Sequence, residues 1–222
     1  MSATLKYMKI GVFDSGIGGE AVAAALRRTF PEATVITVND HDNVPYGNKS
    51  PEEIIRLTDA ALRPLRDDNC DVIVLACNTA TAVAIETLRS RYPTQFFIGI
   101  EPMVKIAAGI TKTDVIAVCA TPATLASTRY AELCEKYGAH LSILEPDCSN
   151  WAYMIENNSI NRETIESTIN NACEKGADVI VLGCTHYHWI KDLIIEIAAG
   201  RAQVIEPSEA IGERVKTLLK LR

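Results

Sequence analysis

Short runs of apolar, often β-branched residues alternate along the chain with longer stretches whose apolar positions recur every three to four residues. The short runs predict strands over 9–13, 34–38, 71–75, 95–100, 115–119, 140–144, 178–182 and 203–205. The longer stretches predict helices over 19–29, 51–68, 80–91, 103–108, 123–137, 151–157, 162–175, 190–199 and 208–221. Runs such as 72–75 and 179–182 are apolar at every position, so both faces of those strands must be covered. Alternation of such strands with helices predicts the α/β class, with parallel sheets flanked by helices on both sides.

An internal repeat refines this picture. The heptapeptide DVIVLAC at 71–77 returns as DVIVLGC at 178–184, nearly half a chain later. A weaker echo pairs KIGVFDSG (9–16) with DVIAVCATP (114–122), each an apolar run breaking into a small-residue loop. The expectation is two similar parallel-sheet α/β domains, 1–100 and 101–206, related by a pseudo-twofold with the active site in the cleft between them. A C-terminal helix within 207–222 is expected to pack back on the first domain.

Ligands of open α/β sheets bind beyond the carboxyl ends of the strands, where the repeat puts Cys77 and Cys184. Facing halves would bring these thiols to one cleft from opposite sides. Each also precedes a helix or turn whose amides favour a thiolate, so a lowered pKa is expected. A single cysteine at a strand end is ordinarily a small core hydrophobe. Repetition at the strand tip sets this pair apart, whereas Cys70, Cys119, Cys134, Cys148 and Cys173 are read as structural.

Other candidates cluster at the same strand ends. GVFDSGIGGEA (11–21) follows a strand and opens a helix. Gly16, Gly18 and Ala21 fit a dinucleotide fingerprint, and Asp40 could then hold a ribose. The alternative is a loop whose amides and Ser15 hydroxyl grip a carboxylate or amino group, with Asp14 reaching the cleft. PYG (45–47) reads first as a turn and second as a substrate contact through Tyr46 and Gly47. His186, two residues past Cys184, is placed to relay a proton to the thiol.

Composition narrows the partners. With 22 Lys and Arg against 28 Asp and Glu, the net charge is −6, the wrong sign for a dedicated binder of nucleic acid or anionic membranes. No apolar run reaches about 18 residues, so no membrane span is expected. Met1 to Lys9 lacks the apolar core of a signal peptide, which points to the cytoplasm. Seven cysteines without a C-x-x-C, and four histidines that complete no zinc pattern, imply no metal site.

Five motifs together resemble the glutamate racemases of the aspartate/glutamate racemase superfamily: FDSGIGG (13–19), VPYGNKS (44–50), ACNTA (76–80), GIEP (99–102) and GCTHY (183–187). They occur in family order and span nearly the whole chain. The resemblance implies two α/β domains, an amino-acid substrate, no cofactor such as pyridoxal phosphate, and a supply of D-glutamate for peptidoglycan. It assigns proton transfer on opposite faces of Cα to Cys77 and Cys184, with Asp14 and His186 as auxiliary groups. Glu156, within CSNWAYMIEN, is matched to the family's auxiliary glutamate although its flanking residues differ. Substrate contacts carried over are Asp14, Ser15, Tyr46, Gly47, Asn78, Thr79, Thr185 and His186. Departures fall at Asp40-His41-Asp42-Asn43, where the family has DTAR, and at His188, where it has proline. Racemisation of aspartate or another amino acid, a superfamily decarboxylase or isomerase, and a nucleotide-binding protein remain as alternatives. The reading leaves a homodimer open.

Overall fold

The computed structural model describes residues 7–208 and 210–220. Its first half holds strands β1 (Lys9–Asp14), β2 (Thr34–Asn39), β3 (Val72–Leu75) and β4 (Phe96–Gly99). The second holds β5 (Val115–Ala120), β6 (Ser142–Leu144), β7 (Val179–Gly183) and β8 (Gln203–Ile205). The strands form two four-stranded parallel sheets, in orders β2-β1-β3-β4 and β6-β5-β7-β8. The orders are the same once β5 is matched to β1. The repeat visible in the sequence is therefore a repeat of topology.

The helices are α1 (Gly19–Thr29), α2 (Pro51–Ala61), α3 (Arg63–Asp67), α4 (Asn78–Arg91), α5 (Val104–Ile110) and α6 (Pro122–Leu125). They continue with α7 (Thr128–Gly138), α8 (Trp151–Glu156), α9 (Arg162–Glu174), α10 (Lys191–Ala198) and α11 (Ile211–Leu218). All four residues of β3 are buried, because alternate side chains enter different cores. Ile73 and Leu75 pack with Leu62, Leu65 and Ile85 on one face, while Val72 and Val74 meet Val22, Leu26 and Val215 on the other. In the second sheet β7 divides likewise, Ile180 and Leu182 toward Trp151 and Ile194, Val179 and Val181 toward Val104 and Tyr130. Ile211 and Val215 of α11 thus lie in the core of the first sheet.

Helix boundaries depart from the pattern where local chemistry interrupts it. The stretch 51–68 is two helices, with Pro64, which has no N–H, in the first turn of the second. The stretch 123–137 is also two, since the Ser127 side chain accepts from the Tyr130 amide and starts α7 afresh. α4 begins at Asn78, two residues ahead of expectation, which makes Cys77 its N-cap. Residues Thr185–Ile190 form a 3-10 turn that the pattern did not suggest. The expected helix over 208–221 is observed as α11, and residues 209, 221 and 222 lie outside the described residues.

Candidate active site

On the first domain's side, β1 ends in Asp14, whose Oδ1 accepts from the Gly16 amide at 2.8 Å. Its Oδ2 accepts from the Thr185 hydroxyl at 2.7 Å, a bond that joins the tips of the two sheets. Burial pushes the Asp14 carboxyl above the usual range, against the opposing pull of His186 and these hydrogen bonds. The Ser15 hydroxyl lies 3.3 Å from Cys77 Sγ, which also accepts from the Ala80 amide at 3.4 Å. Only 5% of Cys77 is exposed. Burial, then the nearby Asp14 charge, pushes its thiol up to about 12. This corrects the expectation of a lowered pKa: one helix N-terminus and one hydroxyl do not offset the desolvation of a sulfur anion in a closed cleft.

On the opposite side, Cys184 follows β7 directly and is 7% exposed. Its Sγ lies 3.6 Å from His186 Nδ1, and His186 Nε2 lies 2.6 Å from Glu156 Oε1. That same Glu156 oxygen accepts from the Ile17 amide of the first domain at 2.9 Å. Burial opposes a charged His186 ring, but its contacts with Cys184 and Glu156 outweigh that cost and push its pKa up to about 11. The His186 hydrogen bond in turn holds the Glu156 carboxyl below the usual range. Glu156, whose flanking residues differ from the family's, is thus brought into direct contact with His186.

The glycine loop is filled by the second domain. A Cβ at Gly16 would lie 2.0 Å from Glu156 Oε1 and 2.6 Å from His186 Nε2, and one at Gly18 would lie 2.6 Å from Thr185. These glycines admit side chains of the other half where a dinucleotide fold would admit a pyrophosphate.

The remaining candidates lie in the loops and turns beside these strand tips. The Tyr46 hydroxyl donates to Asp40 Oδ2 at 2.6 Å, while Asn43 Nδ2 donates to Asp40 Oδ1 at 2.9 Å. Asp40, which the sequence offers only as a ribose contact, instead anchors the buried Tyr46. Gly47 packs against Thr121, where a Cβ would come within 2.8 Å. Thr79 Oγ1 lies 2.8 Å from Thr121 Oγ1, and Thr124 Oγ1 lies 3.0 Å from the latter. Thr121 and Thr124 were not singled out from the sequence, although Thr121 falls in the 114–122 echo of Asp14–Ser15. Asn78 is buried, and neither its Oδ1 nor its Nδ2 has a protein partner. A buried amide with both ends free is suited to a polar ligand. Among the described residues no cluster of three or more His, Cys, Asp or Glu is arranged to hold a metal, and no helix is long and apolar enough to cross a membrane.

Chemically, the arrangement sets two thiols at equivalent strand tips, one beside Ser15 and one beside a His–Glu pair. Comparison with known proteins agrees with this geometry. The family model described as Asp/Glu/Hydantoin racemase matches residues 19–213. A glutamate racemase of Sulfurovum sp. (strain NBC37-1) is 38% identical over 218 residues, covering 95% of this chain and 82% of that protein. The solved glutamate racemase of Aquifex pyrophilus is 35% identical, with a TM-score of 0.78 over 95% of this chain and 84% of its own. That of Francisella tularensis, solved in complex with D-glutamate, is 28% identical, with a TM-score of 0.82 over 97% and 82%. With two sheets of one topology, paired cysteines at their tips and relatives matched over most of their length, the chain belongs with the glutamate racemases of the Asp/Glu/hydantoin racemase family.

Proposed function

We propose that this protein interconverts L- and D-glutamate by a two-base mechanism without pyridoxal phosphate, Cys77 and Cys184 serving opposite faces of Cα. The observation that carries the reading is the pair of thiols at matching strand tips, each with its own partner: Ser15 for Cys77, and His186 with Glu156 for Cys184. Asp14–Thr185 and Ile17–Glu156 tie the two halves together around them.

In each turnover one thiolate takes the Cα proton and becomes a thiol. The electron pair left on carbon is delocalised into the α-carboxylate, and the opposite thiol protonates the other face and becomes a thiolate. The two sulfurs thereby exchange protonation states. Burial favours the thiol form of Cys77, the form that returns a proton, and His186 is the group placed to move a proton at Cys184 Sγ. Charge developing on the substrate meets the Asn78 amide, the Thr79 hydroxyl and the N-terminus of α4, donors already fixed by the fold. Ser15, Tyr46, Gly47 and Thr185 complete the substrate contacts. The halves divide as 1–100 and 101–206, with the terminal helix returned to the first. The cellular role in this reading is the supply of D-glutamate for peptidoglycan from the cytoplasm.

The test follows the Cα proton by NMR in D₂O with no added cofactor, offering L-glutamate and L-aspartate separately and resolving the enantiomers formed. Exchange with formation of D-glutamate is expected. Turnover of aspartate alone would reassign the substrate, and silence on both would sink the racemase reading.

A further inference from the structure

The hydroxyls and amides that line the cleft are neutral, yet glutamate brings two carboxylates against one ammonium group. A carboxylate taken out of water among neutral donors alone is costly. The cleft's cation, His186, is committed to Glu156 and Cys184, so the charge that answers a carboxylate at Asn78 lies behind that residue. A small cavity of about 10 Å³ has Asn78, Ala82, Glu101, Thr124 and Arg129 among its walls. Arg129 Nε is enclosed there without a protein partner, as are both polar atoms of Asn78.

The other nitrogens of Arg129 are engaged. Nη1 donates to Glu86 Oε1 at 2.9 Å, and Nη2 is paired with Glu101. Glu86 also accepts from Arg89 Nη1 at 2.9 Å. Arg89, Arg129, Arg214 and Glu101 line a neighbouring cavity of about 410 Å³. Three guanidinium groups therefore stand near two carboxylates, a net positive cluster in a chain of net charge −6.

We propose that Arg129 is a positioning residue for the substrate, supplying through Asn78 the positive charge that holds a carboxylate of the amino acid at the Asn78–Thr79 turn. The inference rests on the racemase reading for the identity of that amino acid. Nε can only donate and carries part of the guanidinium charge, so it favours the Asn78 amide with Oδ1 on the arginine side. The amide is then oriented with its Nδ2 donors toward the cleft. Glu86 and Glu101 fix the guanidinium and at the same time moderate its charge.

A purely structural role for Arg129, tying α7 to the first domain, makes a different prediction. Under that role Glu86→Gln, which breaks one of the same ion pairs, weakens the site in the same direction as Arg129→Gln. Under the proposal the two act oppositely, because one removes the cation and the other removes an anion that moderates it. Glutamate affinity by calorimetry and racemisation kinetics would be measured for the wild type, Arg129→Gln, Arg129→Lys and Glu86→Gln. Arg129→Gln is expected to raise Kd and KM about five- to tenfold, more than it lowers kcat. Arg129→Lys should recover part of the loss, and Glu86→Gln should bind glutamate at least as tightly as the wild type.

Unchanged affinity in Arg129→Gln, or weakened affinity in Glu86→Gln, overturns the proposal. Should Arg129→Gln fail to fold, the sign of the Glu86→Gln effect decides alone. A wild type that binds glutamate without racemising it overturns the assigned function and leaves this inference to the same variants. A wild type that neither binds nor turns over glutamate overturns both.

Discussion

Cys77 and Cys184 have related positions but different neighbours, and the difference is chemical. Cys77 meets a hydroxyl and an amide, and its thiol is pushed up to about 12, whereas Cys184 meets an imidazole backed by a carboxylate. Cys77→Ser or Cys184→Ser should lower racemisation about a thousandfold, the scale of losing one positioned acid–base group. Washout of the Cα proton against chiral product checks this, and near-normal racemisation by either variant would refute the assignment. His186→Asn should cost less, about a hundredfold. Because enantiomers have equal free energy, kcat/KM must fall equally in both directions. The asymmetry of the two sides should appear instead in the primary isotope effects with Cα-deuterated L- and D-glutamate, which the variant is expected to change unequally.

At the scale of elements, the site is made where β1, β3 and β7 end. Asp14 closes β1, and Cys77 and Cys184 follow β3 and β7 within two residues. α4 starts on Cys77 itself, so the same backbone turn supplies the sulfur, the Asn78 and Thr79 groups and a helix N-terminus. The glycine loop after β1 is shaped by what it must admit. Gly16→Ala would set a methyl 2.0 Å from Glu156 Oε1, and no rotation of the methyl relieves that overlap. The variant should fold, lose about 1–3 kcal/mol of stability, and lose activity in larger proportion, because Glu156 and His186 must move. Denaturant melts beside kinetics test this, and a variant with wild-type turnover would show that the Glu156–His186 contact is dispensable.

For the whole molecule, closure and pH are the levers. Cys77 and Cys184 are 5% and 7% exposed, so neither thiol is open to a reagent from solvent. Alkylation of these thiols by iodoacetamide should therefore be slow and slower still with saturating glutamate, as mass spectrometry of the modified peptides would report. Labelling unaffected by glutamate would argue against a shared cleft. The His186–Glu156 pair also links stability to pH. His186 rises from an ordinary 6.5 to about 11, so the folded state holds its proton more tightly than the unfolded chain. That stabilisation is complete below pH 6.5 and fades as pH climbs toward 11. Glu156 is shifted down from 4.5, so its share is present above that value and is lost on acidification. The gap in melting temperature between the wild type and His186→Asn should thus narrow from about pH 6 to 10. A gap that widens with pH would contradict the charged pair.

The class, the repeat and most of the chemistry-bearing residues follow from local pattern along the chain. Strand periodicity is local, and a duplicated heptapeptide with a polar end marks the strand tips whatever the rest of the chain does. Cys77, Cys184, Asp14, Ser15 and His186 were legible for that reason. What depends on contacts across the cleft was not. Thr121 and Thr124 meet Thr79 only because the two sheets face each other. Glu156 reaches His186 from 30 positions away, so no short window contains the pair. The Cys77 shift reversed its expected sign because desolvation is a property of the packed cleft, whereas capping is a property of neighbouring residues. Local pattern chose the elements and their order, and burial between the two halves decided which groups touch and how they hold their protons.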